Sequence, residues 1–229
     1  MGDVLTLELE QKALATREAL QSAVQQYGKV VYSNSLGAEA MVLTDIISEA
    51  KMANAIVQEV LDFVRPIRLQ VDHTAVADAV QGAIQLADSK GKRGNVDVNV
   101  AISDGLPHIN ADQHQITQVF TNLLMNAYEA MGGKGRVTIS AEMLRIEDGS
   151  DARDAVLVEF DDNGPGIPPD VADKVFDPFF TTKAQGSGLG LAIVRKIVDA
   201  HDGRIDLRTT PGQGTTIRVT LPVTGGNEE

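Results

Sequence analysis

A chain of 229 residues, 43% apolar and 23% charged, is long enough for one full domain plus an attachment and can bury a sizeable core. Its 32 acidic against 20 basic side chains leave a formal charge of −12, which argues against a nucleic-acid partner or an anionic membrane face but does not exclude a local anion pocket. The absence of cysteine excludes disulfides, thiolate nucleophiles and thiolate metal sites.

No apolar run approaches the roughly 20 residues that a membrane helix needs, and Met1-Gly2-Asp3-Val4 lacks the basic and apolar parts of a secretory signal. The expectation is a cytoplasmic chain without membrane contact. Residues 4–65 hold no strand-like block and one break, Ser33-Asn34-Ser35-Leu36-Gly37. After it Leu43, Ile46, Ala50, Ala53, Val57, Val60 and Val64 alternate steps of three and four, a heptad seam; Leu20, Ala23, Tyr27 and Val30 keep the rhythm before it. Two such helices joined by a short turn form an antiparallel hairpin, and two hairpins bury their seams as a four-helix bundle. The segment 4–65 therefore predicts a homodimer, the alternative being a helical arm packed on its own domain.

Arg65-Pro66 ends the second helix. Beyond it Val76, Val80, Ile84 and Ala87 mark a helix, and Val96, Val98, Val100 and Ile102 a strand. Residues 112–131 form the strongest helix, with Ile116, Val119, Phe120, Leu123, Leu124 and Ala127 on one face. Strands follow at 137–141 and 156–160, then a Gly/Pro-rich stretch, a helix over 189–200, and strands at 205–207 and 217–221. The chain reads as α+β: a helical hairpin over 1–65, then a domain over 66–229 with a mixed sheet and helices on one face. Residues 225–229 read as a frayed tail.

Three places carry possible chemistry. Asn122 and Asn126, four apart, share a stripe of the strong helix that Glu129 joins a turn later. An amide oxygen there could ligate a hard cation such as Mg²⁺, and a solvated polar edge is the plainer alternative. Asp161-Asp162-Asn163-Gly164-Pro165-Gly166-Ile167 follows a strand. Its glycines admit a flat ligand and its carboxylate can accept hydrogen bonds, for instance from an adenine amino group; a simple turn explains the same residues. Gly186-Ser187-Gly188-Leu189-Gly190-Leu191 opens into a helix, a natural anion site. No strand immediately precedes it and no Lys-Ser/Thr ends it, so it is neither a dinucleotide fingerprint nor a Walker loop. A third type of phosphate cradle or a plain glycine-rich connection remains. Between the last two places Phe176-Asp177-Pro178-Phe179-Phe180-Thr181-Thr182-Lys183 suits a lid with apolar anchors and a terminal cation.

In this order the segments resemble the ATP-binding catalytic domain of bacterial sensor histidine kinases. Gln118 to Ala127 is similar to the N box, Asp162 to Ile167 to the first glycine box, Phe176 to Lys183 to the F box, and Gly186 to Leu191 to the second glycine box. Gly214-Thr215-Thr216-Ile217 with Leu221-Pro222 resembles the closing strand. The resemblance covers about residues 66–223, and its Phe-Phe-Thr-Thr-Lys lid resembles the nitrogen-regulatory type. It implies an α/β sandwich of the histidine kinase ATPase type with ATP and Mg²⁺ as cofactors. Asn126 would hold Mg²⁺ with Asn122 beside it. Asp162 would accept from adenine while Gly164 and Gly166 make room for the base. Gly186, Gly188, Leu189 and Gly190 would wrap the triphosphate, Lys183 would reach the γ-phosphate, and Thr216 joins the ATP-binding set. Glu129 stands where many relatives carry lysine.

The hairpin likewise resembles the dimerisation and phosphotransfer module of that family, which implies a response regulator receiver domain as partner. Its second helix matches through Glu49, Ile56-Val57 and Leu61 to Pro66. Its first helix lacks the phosphoacceptor: the histidines are His73, His108, His114 and His201, and a position near Glu8 is where one is expected. The resemblance thus implies phosphoryl transfer to a histidine and on to a response regulator, without autophosphorylation on this hairpin. The alternatives are a non-catalytic nucleotide-binding dimeric scaffold, or an ATPase or serine kinase of the same superfamily. Four scattered histidines without ligand spacing make no zinc site, and His201 reads as a helix C-terminal residue.

Overall fold

The computed structural model describes residues 54, 57–61, 63–91, 93–148, 151–183 and 186–223. They belong to a compact unit spanning Asn54–Glu229. Most of the hairpin expected over 4–65, the dimer built on it, the Glu8 position and the 225–229 tail lie outside the described residues. The end of the second helix expected there is described: residues 57–61 and 63–64 are helical, and the Arg65 amide donates to the Leu61 carbonyl at 2.9 Å before Pro66. Val60 and Phe63 pack on the core, while Val57, Leu61 and Val64 stay exposed in a stripe.

Helices pack on a five-stranded sheet. In chain order the elements are β1 (Asp72–Thr74), α1 (Val76–Ser89), β2 (Asn95–Ile102), β3 (Ile109–Ala111), α2 (Gln113–Ala130), β4 (Lys134–Asp148), β5 (Asp151–Asp162), α3 (Pro169–Ala172), α4 (Gly190–Ala200), β6 (Arg204–Thr210) and β7 (Gly214–Pro222). The sheet order is β2-β4-β5-β7-β6; β2 and β4 run parallel and every other neighbour antiparallel. The mixed sheet anticipated from the spacing of apolar runs is present. Its hairpin β4–β5 runs further than the apolar centres implied, pairing out to Asp148 opposite Asp151. Polar residues such as Arg145 and Asp154 continue the ladder there, because backbone pairing persists where one face needs no burial. The short β1–β3 pair had no alternating apolar signal.

The apolar stripe of α2 explains its central place. Ile116, Val119, Phe120, Leu123, Leu124 and Ala127 are all buried, and Phe120 meets Phe160 of β5 at 5.3 Å between ring centroids. Asp112 caps the helix, accepting from the Gln115 amide at 3.1 Å. Tyr128 ties its far end to α1 by donating to Asp88 at 3.3 Å. Burial, with Asp88 beside it, pushes this phenol up to about 12, so it stays a donor.

α4 lies beside α2 in the opposite direction, and His201 at its C-terminus fastens the two. The Asp112 amide donates to His201 Nε2 at 3.0 Å, and His201 Nδ1 meets the Ile197 carbonyl at 2.8 Å. A backbone N–H only donates and a carbonyl only accepts, so Nε2 is the accepting and Nδ1 the donating nitrogen in these two contacts. The expected helix-end role of His201 is what the fold uses.

Candidate functional site

The second half of α2 carries the polar stripe on the side away from Leu123, Leu124 and Ala127. Asn126 and Glu129, three apart, both receive the ammonium of Lys183: Nζ donates to Asn126 Oδ1 at 3.0 Å and pairs with the Glu129 carboxylate. The lid therefore reaches back onto the helix through its terminal cation. Asn122 faces elsewhere. It lines an open cleft of about 800 Å³ over the first half of α2, where Arg68, Lys90, His114 and Lys196 also line the walls. The pair that shares one stripe in the sequence is thus divided between two surroundings.

Asp162 ends β5, and the turn after it folds back on its own carboxylate. The Gly164 amide donates to Asp162 Oδ1 at 2.9 Å, and Asn163 Oδ1 accepts from the Arg136 amide at 2.7 Å. Burial raises the Asp162 carboxyl above its ordinary value; amide hydrogen bonds from Gly164 and Thr215 oppose the rise and the charge of Asp161 adds to it. This turn abuts the end of α2: a side chain at Gly164 would come within 3.3 Å of Met131 Cγ. The Thr210 carbonyl already fills the space that a side chain at Gly166 would occupy, at 2.2 Å. Gly166 thus serves close approach to β6.

Thr216 requires a correction. It pairs with Asp161 in the ladder, and its hydroxyl donates to Asp161 Oδ1 at 2.6 Å. Successive residues alternate faces, so Thr216 lies on the face opposite Asp162 and is not brought to the site. Thr215 is the residue paired with Asp162. Its hydroxyl is 3.1 Å from that of Thr209, which accepts from the Ile167 amide at 2.8 Å. Sequence reasoning passed over Thr215 and Thr209, because only the register assigns their face.

The lid and the start of α4 meet at Gly188. With φ at +72°, this residue sits in the left-handed region, and an added Cβ would lie 2.4 Å from the Phe179 carbonyl carbon. Gly188 is required by the lid's own backbone, so an alanine there disturbs local structure. Gly190 differs: it opens α4, and nothing stands within 4 Å of where its Cβ would be. Leu189 is fully buried and offers only its backbone. Gly186 sits beside Thr181, whose hydroxyl would be 2.7 Å from an added Cβ. Ser187 accepts from the Leu189 amide at 3.2 Å and is hydrogen-bonded to Glu59 of the helical run 57–64.

The lid is anchored unequally by its rings. Phe176 is partly buried against the core with the Arg195 guanidinium 5.5 Å from its centroid. Phe179 is 62% exposed, has a φ of 66°, and meets Phe63 edge-on at 6.4 Å. Lys196 of α4 donates to the carbonyls of Phe63 and Arg65, satisfying the end of that helical run.

Among the described residues no three histidine or acidic side chains gather into a metal cage. An oxygen pair such as Asn126 and Glu129, already converging on one ammonium, does fit Mg²⁺, which takes one or two protein oxygens together with phosphates.

The contacts bring four segments to one place: the end of α2, the turn after β5, the lid, and the open start of α4. Residues 111–225 match the family described as histidine kinase-, DNA gyrase B-, and HSP90-like ATPase. The chain belongs to this family. It is 35% identical over 181 residues to the signal transduction histidine-protein kinase AtoS of Escherichia coli strain K12, covering 79% of this chain and 29% of that protein. To the sensory histidine kinase/phosphatase NtrB of Rhodobacter capsulatus it is 36% identical over 199 residues, covering 83% and 55%. The catalytic domain of histidine kinase ThkA superposes with a TM-score of 0.55 at 31% identity, covering 68% of this chain and 96% of that one. ThkA in complex with response regulator protein TrrA gives a TM-score of 0.62 at 26% identity, covering 97% and 64%. The chain spans about a third of AtoS and just over half of NtrB. What it carries is the ATP-binding domain of the sensor histidine kinase type. Among the described residues no helix is long and apolar enough to cross a membrane.

Proposed function

We propose that the chain is the kinase core of a two-component sensor histidine kinase of the nitrogen-regulatory type, with its hairpin over 1–65 and its ATP-binding domain over 66–229. The observation that carries this reading is the bridge from Lys183 to Asn126 and Glu129, which closes the lid over the polar stripe of α2. In this reading the Asp162 carboxylate accepts from the adenine amino group. The Gly186–Gly190 backbone and the start of α4 receive the triphosphate, aided by the helix dipole, and Lys183 moves from α2 to the γ-phosphate. Asn126 holds Mg²⁺, with Asn122 at the edge toward the cleft. Bound Mg²⁺ supplies charge neutralisation for phosphoryl transfer. Thr215, which shares its strand face with Asp162, takes the place first given to Thr216.

The exposed stripe Val57, Leu61 and Val64 supports a dimer through residues 4–65, since apolar residues at that spacing call for a partner helix. One solved relative bears on the partner step: ThkA is described in complex with response regulator protein TrrA. A receiver domain is the corresponding partner here. Titrating the full chain with a non-hydrolysable ATP analogue and Mg²⁺ in a calorimeter tests the reading. Saturable one-to-one binding is expected, and no heat at any concentration would sink it.

A second reading is favoured by the sequence of residues 1–65, which contains no histidine. The chain then binds nucleotide as a dimeric switch or scaffold without phosphorylating itself. Radiolabelled ATP separates the two: an acid-labile, alkali-stable phosphoprotein would refute the switch, and steady ADP release without labelling would point to an ATPase.

A further inference from the structure

We propose that Glu129 is a second oxygen ligand, beside Asn126, for the Mg²⁺ that accompanies the nucleotide, and that the Lys183 ammonium marks the position of that ion. The inference deepens the nucleotide reading above and rests on it. Asn126 Oδ1 and a Glu129 carboxylate oxygen converge on the single nitrogen of Lys183. An amide oxygen and a carboxylate oxygen aimed at one point are donors of the kind a hard divalent cation takes. The ammonium is a compact point charge suited to stand there.

The two oxygens are fixed by the fold. Their spacing of three sets both on one stripe of α2, while Leu123, Leu124, Ala127 and Tyr128 hold the other side of the helix in the core. Glu129 is 28% exposed against 48% for Lys183, so the carboxylate is the more enclosed of the two. Charge points the same way. A carboxylate beside a triphosphate repels it unless a cation stands between them. If Mg²⁺ replaces the ammonium, Lys183 is released to face phosphate oxygens, and both cations then serve the anion. No bond is made or broken in this exchange; one cation replaces another at two oxygens.

The test is calorimetry of the full chain with AMP-PNP, with Mg²⁺ and with EDTA, together with Mn²⁺ binding followed by electron paramagnetic resonance. Glu129→Gln keeps the hydrogen-bonding oxygen and removes the charge. It is expected to cut the metal-dependent gain in AMP-PNP affinity by about tenfold or more, to weaken Mn²⁺ binding to the nucleotide complex, and to leave affinity in EDTA equal or higher. Glu129→Asp, which retains the charge, should recover part of the gain and guards against a folding defect. If Glu129 serves only as a latch for Lys183, Glu129→Gln instead raises affinity equally with and without metal, and the proposal falls. An undiminished metal-dependent gain also overturns it while leaving nucleotide binding intact. A wild-type chain that ignores AMP-PNP in both buffers overturns the nucleotide reading and this one with it.

Discussion

The two ends of α2 present acidic side chains in opposite states. At the start, Asp112 is buried, which would raise its carboxyl, but amide hydrogen bonds from Gln70, Gln115 and His114 outweigh this and hold it below its ordinary value. Near the other end, Asp162 sits above its ordinary value because burial outweighs two amides. At Asp112 the amide hydrogen bonds decide the direction; at Asp162 burial does. A carboxylate whose charged form burial disfavours is a candidate to accept from a hydrogen-bonding ligand, whereas the Asp112 carboxylate caps α2.

The largest effect is expected at the structural end. His201→Ala leaves the buried Asp112 amide without its acceptor and opens a cavity, so stability should fall by about 2–4 kcal/mol. Chemical denaturation measures this, and a loss below half a kilocalorie would erase the contrast. Nucleotide affinity, corrected for the folded fraction, should stay the same.

Asp162→Asn tests the other end. It keeps one oxygen for Gly164 but removes the charge that burial disfavours, so melting temperature should hold or rise. ATP affinity should drop roughly 10- to 100-fold, the worth of a charged hydrogen bond. The pH behaviour separates the two carboxylates by sign. A raised folded value means that the stabilising contribution of Asp162 is present below the unfolded value and lost as pH rises through the folded one. Asp112, with a lowered value, contributes above the unfolded value and loses that contribution as pH falls through the folded one. If the Asp162 carboxylate accepts from adenine as proposed, affinity should decline as pH falls through its raised value. Affinity flat across that range, while the fold survives, would remove Asp162 from the base site.

Gly190→Ala gives a smaller and sharper result. Nothing in the fold meets its added methyl, and alanine is the better helix former by about 1 kcal/mol. Stability should rise slightly while nucleotide affinity falls by about tenfold, the mark of a ligand backbone contact at that point. Unchanged affinity would mean that the phosphates do not pass over the start of α4.

The sequence made α2, α4 and the strand centres legible because their apolar residues keep strict periods, and burial of Ile116, Phe120 and Leu123 follows that stripe. The four boxes were legible as residue types, and the contacts from Lys183 to α2 and from Gly188 to Phe179 join them. What escaped depends on pairing. Thr216 and Thr215 are equivalent as letters; only the ladder, which sets Thr215 opposite Asp162, assigns their faces. Gly188 and Gly190 likewise read alike until the Phe179 backbone is found against one and open space beside the other. The length of β4–β5 was hidden because its outer half carries no alternating apolar signal.

The helical run 57–64 touches two worlds at once. Val57, Leu61 and Val64 point outward, while Glu59 grips Ser187, Phe63 leans on Phe179, and Lys196 clasps the run's last carbonyls. So short a cylinder cannot turn about its own axis without dragging on those three attachments. A rotation of this run is therefore felt at Ser187 and Phe179, to which its side chains are tied.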